Sequence, residues 1–234
     1  METASGTRRT LPFRIVNAQR TVAIAVILLT TVLGVTSATR ERDLFDELSA
    51  RGQQQNGGLK TLTASFVETS TSSLLTRPLV ARGTVIVERP ARVALRYTDP
   101  DARVILIDGD RMTMSWPSAS VHRVRDIAAS QRRIQKYFVT SSPDELRSHF
   151  QVSAGEANDR PGTYLMTMVP KRKQILEGMT RLELWLDHSS LLLAAMRMTF
   201  PSGETKLMTF ADVKPNVAID PAWFRISNEP SAAR

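Results

Sequence analysis

The side chains best suited to catalysis are few and scattered along this sequence. Its three histidines, His122, His149 and His188, stand among unrelated neighbours, and none has a second histidine or a carboxylate at metal-ligand spacing. Cysteine is absent, so there is no thiol nucleophile, no disulfide, and no residue for the acylation that anchors a bacterial lipoprotein. Neither a nucleophile elbow nor a Gly-rich phosphate loop occurs. Asp99, Asp101, Asp108 and Asp110 place four carboxylates close together. They belong to Asp99-Pro100-Asp101 and Asp108-Gly109-Asp110, however, which are turn sequences whose short side chains cap their own backbone. The sequence predicts no catalytic residue, no metal site and no cofactor: this chain does not read as an enzyme.

One charged residue is out of place. In GTVIVERPARVALRYTDP, Gly83 to Pro100, the odd positions include Val85, Val87, Val93, Leu95 and Tyr97, while the even ones include Thr84, Glu88, Arg92, Arg96 and Thr98. This is a half-buried antiparallel pair with one apolar face. Arg89 shares the parity of the apolar face, next to Pro90 at the connection. It is either a rim arginine in solvent or a guanidinium that reaches into a cavity.

The elements that must position such residues follow from alternation and turn signals. Candidate strands are Thr63–Thr71, Leu79–Glu88, Arg92–Thr98, Arg103–Asp108, Arg111–Trp116 and Ser120–Arg125, then Gln151–Ala157, Thr163–Val169, Thr180–Asp187, Leu191–Phe200, Thr205–Asp212 and Ala222–Ser227. So many consecutive short strands predict one large, curved antiparallel sheet. A helical pattern precedes them from Arg40 to about Leu62, with Leu44, Phe45 and Leu48 on one stripe; Gly52 and the Gln53 to Gly58 stretch are expected to interrupt it before Leu59 and Leu62 resume it. Between the two sets of strands, Ile127, Ile134, Tyr137 and Phe138 form a helical stripe, with Arg132, Arg133 and Lys136 opposite. Ser142-Pro143-Asp144-Glu145 then reads as a helix start, with serine as cap, proline first inside and glutamate completing a capping box. Leu146 and Phe150 give that helix its apolar edge.

Residues 1–38 run from a basic segment through the apolar TVAIAVILLTTVLGV to small residues ending at Ala38, the order of a secretory signal peptide, with an uncleaved anchor as the alternative. Beyond Ala38, 27 Lys and Arg face 22 Asp and Glu. This mildly basic balance suits anionic lipid surfaces and is too diffuse for nucleic acid. No repeat or linker divides residues 39–234, which are expected to form one domain. Apolar rows recur along its strands: Met112, Met114 and Trp116; Met166 and Met168; Leu182, Leu184 and Leu186; Met196, Met198, Met208 and Phe210. They could pack as an ordinary barrel core or line a cavity with the short helices as its lid, methionine being adaptable to changing contents.

Leu62-Thr63-Ala64-Ser65-Phe66, Gly83-Thr84-Val85-Ile86-Val87-Glu88-Arg89-Pro90, Arg96-Tyr97-Thr98-Asp99-Pro100 and Ile107-Asp108-Gly109 resemble, in order and spacing, the motifs of LolA-like periplasmic lipoprotein carriers. So do Phe210-Ala211-Asp212-Val213-Lys214-Pro215-Asn216, Ile219-Asp220 and Phe224. The resemblance implies a mainly β fold with some α: an incomplete, half-open antiparallel barrel of about 11 strands, with helices lidding a hydrophobic cavity. The expected lining is Val85, Val87, Val93, Leu95, Met112, Met114, Leu182, Leu184, Leu186 and Phe210, and the expected lid is Ile127, Ile134, Tyr137, Phe138 and Leu146. Arg89 matches the family arginine that reaches inward and holds the lid. A periplasmic monomer is expected, taking acylated lipoproteins or other lipids from an inner-membrane lipoprotein-releasing ABC transporter to an outer-membrane lipoprotein receptor. The Pro-x-x-Leu-Leu element usual in such lids is replaced here by the basic and aromatic segment Gln131 to Phe138. This leaves open a glycolipid or another envelope lipid as cargo, or a sensor's role.

Overall fold

Alternating apolar residues become strands wherever turn residues bound them. The computed structural model describes residues 43–134 and 142–226, with the main chain alone at 133 and 134. Residues 1–38, expected as a signal peptide, together with Tyr137, Phe138 and the side chain of Ile134, lie outside the described residues. Strands β1 (Thr61–Thr71), β2 (Leu79–Glu88), β3 (Arg92–Asp99), β4 (Arg103–Asp108), β5 (Arg111–Trp116) and β6 (Val121–Asp126) come first. After two helices follow β7 (Phe150–Glu156), β8 (Thr163–Pro170), β9 (Arg181–Asp187), β10 (Leu193–Thr199) and β11 (Thr205–Pro215). All eleven join in one antiparallel sheet of order β6-β5-β4-β3-β2-β1-β11-β10-β9-β8-β7. Its end strands, β6 and β7, do not pair, so the sheet is an open half-barrel. Gly109, Gly162 and Gly203 occupy left-handed φ of +53°, +79° and +80° in the tight connections β4–β5, β8 and its predecessor, and β10–β11.

Helix α1 (Leu44–Asn56) starts where the Asp43 carboxylate accepts the Asp46 amide at 3.1 Å, and it buries Phe45 and Leu48. Helix α2 (Ala128–Ile134) follows β6 directly, the Asp126 carboxylate accepting the Ala128 amide at 2.8 Å. Helix α3 (Pro143–His149) begins with Pro143 first inside and the Ser142 hydroxyl accepting the Glu145 amide at 3.2 Å. A single turn of helix, α4 (Lys173–Leu176), links β8 to β9. Where a strand Ala222–Ser227 is expected, the described residues 222–226 form none. Asp220 caps a short 3-10 turn, Pro221–Phe224, and the Arg96 guanidinium donates to the carbonyls of Ala222, Trp223 and Arg225, at 2.7 Å for the last.

Both faces of the sheet carry buried residues, unequally. One face holds the main core, from Leu62, Val85 and Leu95 on one side to Leu182, Met196 and Met208 on the other, closed over by Phe45, Leu48, Ile127, Leu146 and Ile175. The other face has a small satellite in which Trp185 packs with Ala157 and Ala195. There Arg160 and Arg197 lie over the indole at 5.6 and 4.9 Å, and its N–H donates to Asp159 at 3.0 Å.

Candidate functional site

Register places the expected lining residues on one face. Val85 pairs with Leu95 and Val87 with Val93, and the same rows continue through Ile105 and Ile107 to Met114 and Met112. Across β1 and β11, Met196 pairs with Leu184 and Met198 with Leu182, which pair in turn with Met166 and Met168. Val85, Val87, Val93, Leu95, Met112, Met114, Leu182 and Leu184 are all buried in one contiguous cluster. Leu186 and Phe210 are half-buried and pack against its margin. Ile127 and Leu146, expected in the lid, are buried in the same cluster.

The helices over this face are held by polar contacts at their ends. Arg147 on α3 donates to Asp46 at 2.6 Å and to both oxygens of Asp43 at 2.7 and 2.8 Å, while its guanidinium lies 4.9 Å from the centre of the Phe45 ring. Burial raises the Asp43 carboxyl, but the Asp46 amide and Arg147 more than offset it, so it stays below its ordinary range. Thus α1 and α3 form one clamped pair against β7. The α2 helix is fixed differently, to the β4–β5 turn: the Ile127 amide donates to the Asp110 carbonyl at 2.7 Å and the Gln131 side chain to the Gly109 carbonyl at 3.2 Å.

Arg89 sits at this same end of the sheet. Its guanidinium donates to the Leu59 carbonyl at 3.1 Å and its amide to the Lys60 carbonyl at 2.8 Å, tying the β2–β3 turn to the joint between α1 and β1. The neighbouring Ala91 carbonyl accepts the Gly109 amide at 3.1 Å, so the Arg89 turn and the anchor of α2 are adjacent. Of the lid carbonyls expected as its partners, those of 135–138 lie outside the described residues.

The sequence reading missed a charged group on the apolar face. Glu68 lies on the β1 row of Leu62, Ala64 and Phe66, and it is buried. Lys206 donates to it at 2.9 Å, the Tyr97 hydroxyl at 2.7 Å, and Arg103 stands at 3.7 Å with its guanidinium 3.8 Å over the Tyr97 ring. Burial raises the Glu68 carboxyl, yet Lys206, Tyr97 and Arg103 outweigh it and hold the group below its ordinary range. Burial and Glu68 together push the Tyr97 phenol far upward. The reach from β4 to β1 depends on Gly83, where a Cβ would strike the Arg96 carbonyl oxygen and come within 2.8 Å of the Phe66 ring. Without it, Phe66 and Tyr97 meet edge to face at 4.9 Å across β2. The signal was available: Glu68 shares parity with three apolar residues.

Among the described residues no cluster of His, Asp and Glu has the makings of a metal site. His188 pairs with Glu156 at 2.9 Å.

An unclosed antiparallel sheet whose one apolar face is covered by helices defines an open half-barrel, distinct from a closed barrel or a two-sheet sandwich. The profile of the outer membrane lipoprotein carrier protein LolA matches residues 57–227, and the chain belongs to that family. No curated protein sequence gives a match. Among solved structures, lipoprotein LppX of Mycobacterium tuberculosis is 15% identical, with 75% of this chain and 98% of that one covered and a TM-score of 0.48. The Pseudomonas aeruginosa MucA/MucB complex gives 15%, 78%, 60% and 0.46 for the same quantities. A LolA superfamily protein of Nitrosomonas europaea gives 9%, 79%, 99% and 0.39.

Proposed function

We propose that this protein is a non-enzymatic periplasmic carrier, exported by residues 1–38, that shields the acyl chains of lipoproteins between the inner and outer membranes. The observation that carries this reading is the contiguous apolar face of an open sheet, covered by short, separately anchored helices rather than by a second sheet. Burying a methylene is worth about 0.8 kcal/mol, so a sixteen-carbon chain resists crossing water by roughly 12 kcal/mol. A carrier must replace that environment and still release the chain. An acceptor that binds the chain better, together with a lid that opens at low cost, meets both needs. In this scheme α2 moves, and Arg89 holds the closed state from the adjoining turn. The donor is an inner-membrane ABC transporter and the acceptor an outer-membrane receptor.

Binding of a fluorescent fatty acid, competed by unlabelled lipid, tests the reading, together with native mass spectrometry of protein purified from the periplasm. We expect a lipid adduct and saturable binding. Leu184→Glu, which puts a carboxylate among Met166, Met196 and their neighbours, should abolish binding while circular dichroism stays native. A folded wild-type protein that carries no lipid and binds no acyl chain would sink the carrier reading.

A further inference from the structure

Two apolar rows cross the β1–β6 half of the sheet and end alike. One runs from Ala64 through Val85, Leu95, Ile105 and Met114 to Arg123. The other runs from Leu62 through Val87, Val93, Ile107 and Met112 to Arg125. Every apolar member of both rows is at most 4% exposed, whereas all of β6 is exposed. The covered face of the sheet therefore passes from dry hydrocarbon to two guanidinium groups within one strand spacing of about 4.8 Å. Two residues apart on one strand, Arg123 and Arg125 have Cα atoms about 7 Å apart, a spacing that lets two long side chains engage a single phosphate or carboxylate.

Nothing in the described residues neutralises them. The acid of that strand, Asp126, has the opposite parity and pairs across the ladder with Arg111. The ion pairs of the described residues involve other arginines: Arg51, Arg82, Arg92, Arg103, Arg147, Arg181 and Arg197. The opposite edge is unlike it. There the rows run through Met208, Met196, Leu184 and Met166 to Ala154, and through Met198, Leu182 and Met168 to Val152, with no charge at the end.

We propose that the β6 edge is the headgroup site for an anionic amphiphile. Its acyl chains lie on the apolar rows, and Arg123 and Arg125 hold its phosphate or carboxylate. This rests on the carrier reading and narrows it to cargo with a negative headgroup. Edge-strand cations also discourage strands from pairing between molecules. That role alone would leave lipid selection untouched, and this is what the test separates.

The experiment incubates purified full-length protein with vesicles containing fluorescent phosphatidylglycerol or fluorescent phosphatidylcholine of identical acyl chains. The vesicles are sedimented, and the lipid carried in the supernatant by protein is measured. Wild type should favour phosphatidylglycerol by about tenfold, the equivalent of about 1.4 kcal/mol. Arg123→Gln with Arg125→Gln should bring phosphatidylglycerol down to the phosphatidylcholine level and leave phosphatidylcholine uptake unchanged. The double lysine variant should retain most of the preference, and Arg111→Gln on the other face should retain all of it. Inorganic phosphate at matched ionic strength should not displace the lipid. Equal uptake of both lipids by wild type, or a preference that survives the double glutamine change, overturns the headgroup site and leaves the carrier reading standing. Protein that sediments with anionic vesicles but removes no anionic lipid shows surface attraction and also overturns it. No uptake of either lipid overturns both.

Discussion

The two edges of this sheet are finished in opposite ways. On β7, apolar rows end in Ala154 and Val152, and the clamped pair of α1 and α3 packs against the strand. On β6 the rows end in arginines, and every residue of the strand is exposed. A sheet of uniform sequence would treat both edges alike. The difference sets a β7 side packed under two helices against a β6 side that presents charge to its surroundings. On the proposals above, stability rests on the seam and the β7 side, and recognition on β6.

The largest expected loss lies at the seam. Glu68→Ala leaves Lys206 and Arg103 without their carboxylate on a buried face, and breaking such a group costs about 3–5 kcal/mol. Chemical denaturation should show a drop of that order, and a loss under about 1 kcal/mol would mean the group is solvated. Because the Glu68 carboxyl sits below its ordinary value of 4.5 when folded, its contribution is complete above that pH and is lost as pH falls through the lowered value. The acid unfolding of Glu68→Gln should accordingly depend less on pH below 4.5 than that of wild type.

Next comes the β7 clamp. Arg147→Ala removes the charged hydrogen bonds between α3 and α1 and should cost about 2 kcal/mol, with faster amide exchange in both helices and in β7. Exchange unchanged outside α3 would show that the two helices are not held as a pair. Arg89→Leu is expected to cost about 1.5 kcal/mol through the lost bond to Leu59. Its sharper signature is in a two-stage assay, where loading from membranes should persist and transfer to acceptor membranes should fall. Both stages at wild-type level would reduce Arg89 to a turn residue. The smallest effect belongs to β6: the double glutamine change at Arg123 and Arg125 should shift stability by less than about 0.5 kcal/mol, since both side chains are exposed. A large loss there would erase the contrast between the edges.

Much of this contrast is legible in the sequence because alternation registers burial directly. The rows of Val85, Leu95 and Met114 were visible, and so was the start of α3 at Ser142-Pro143. What alternation cannot register is a partner brought in by register. Arg123 and Arg125 look like ordinary surface arginines until they are found opposite Met114 and Met112. Glu68 carries the parity of a core residue, but its sense depends on Lys206, distant in sequence, and on Arg103 reaching across the space left at Gly83. The same limit explains the last segment. Ala222-Trp223-Phe224 has the composition of a strand, and it becomes a turn because Pro221 and Asp220 start one and Arg96 gathers its carbonyls.

The strand order also has a bearing on how the chain acquires this shape. Every ladder but one joins strands that are consecutive in sequence; the exception is β1 with β11, where Leu62 meets Pro215 and Thr71 meets Thr205. Each half is therefore a meander that can zip up from local hairpins. Uniting the halves requires closing a loop that spans nearly the whole domain, and loop closure of that length is the slow, entropically costly event in such topologies. The seam with the buried Glu68 is thus the pairing with the highest closure cost, and a chain in which it is open would expose the apolar rows of both halves.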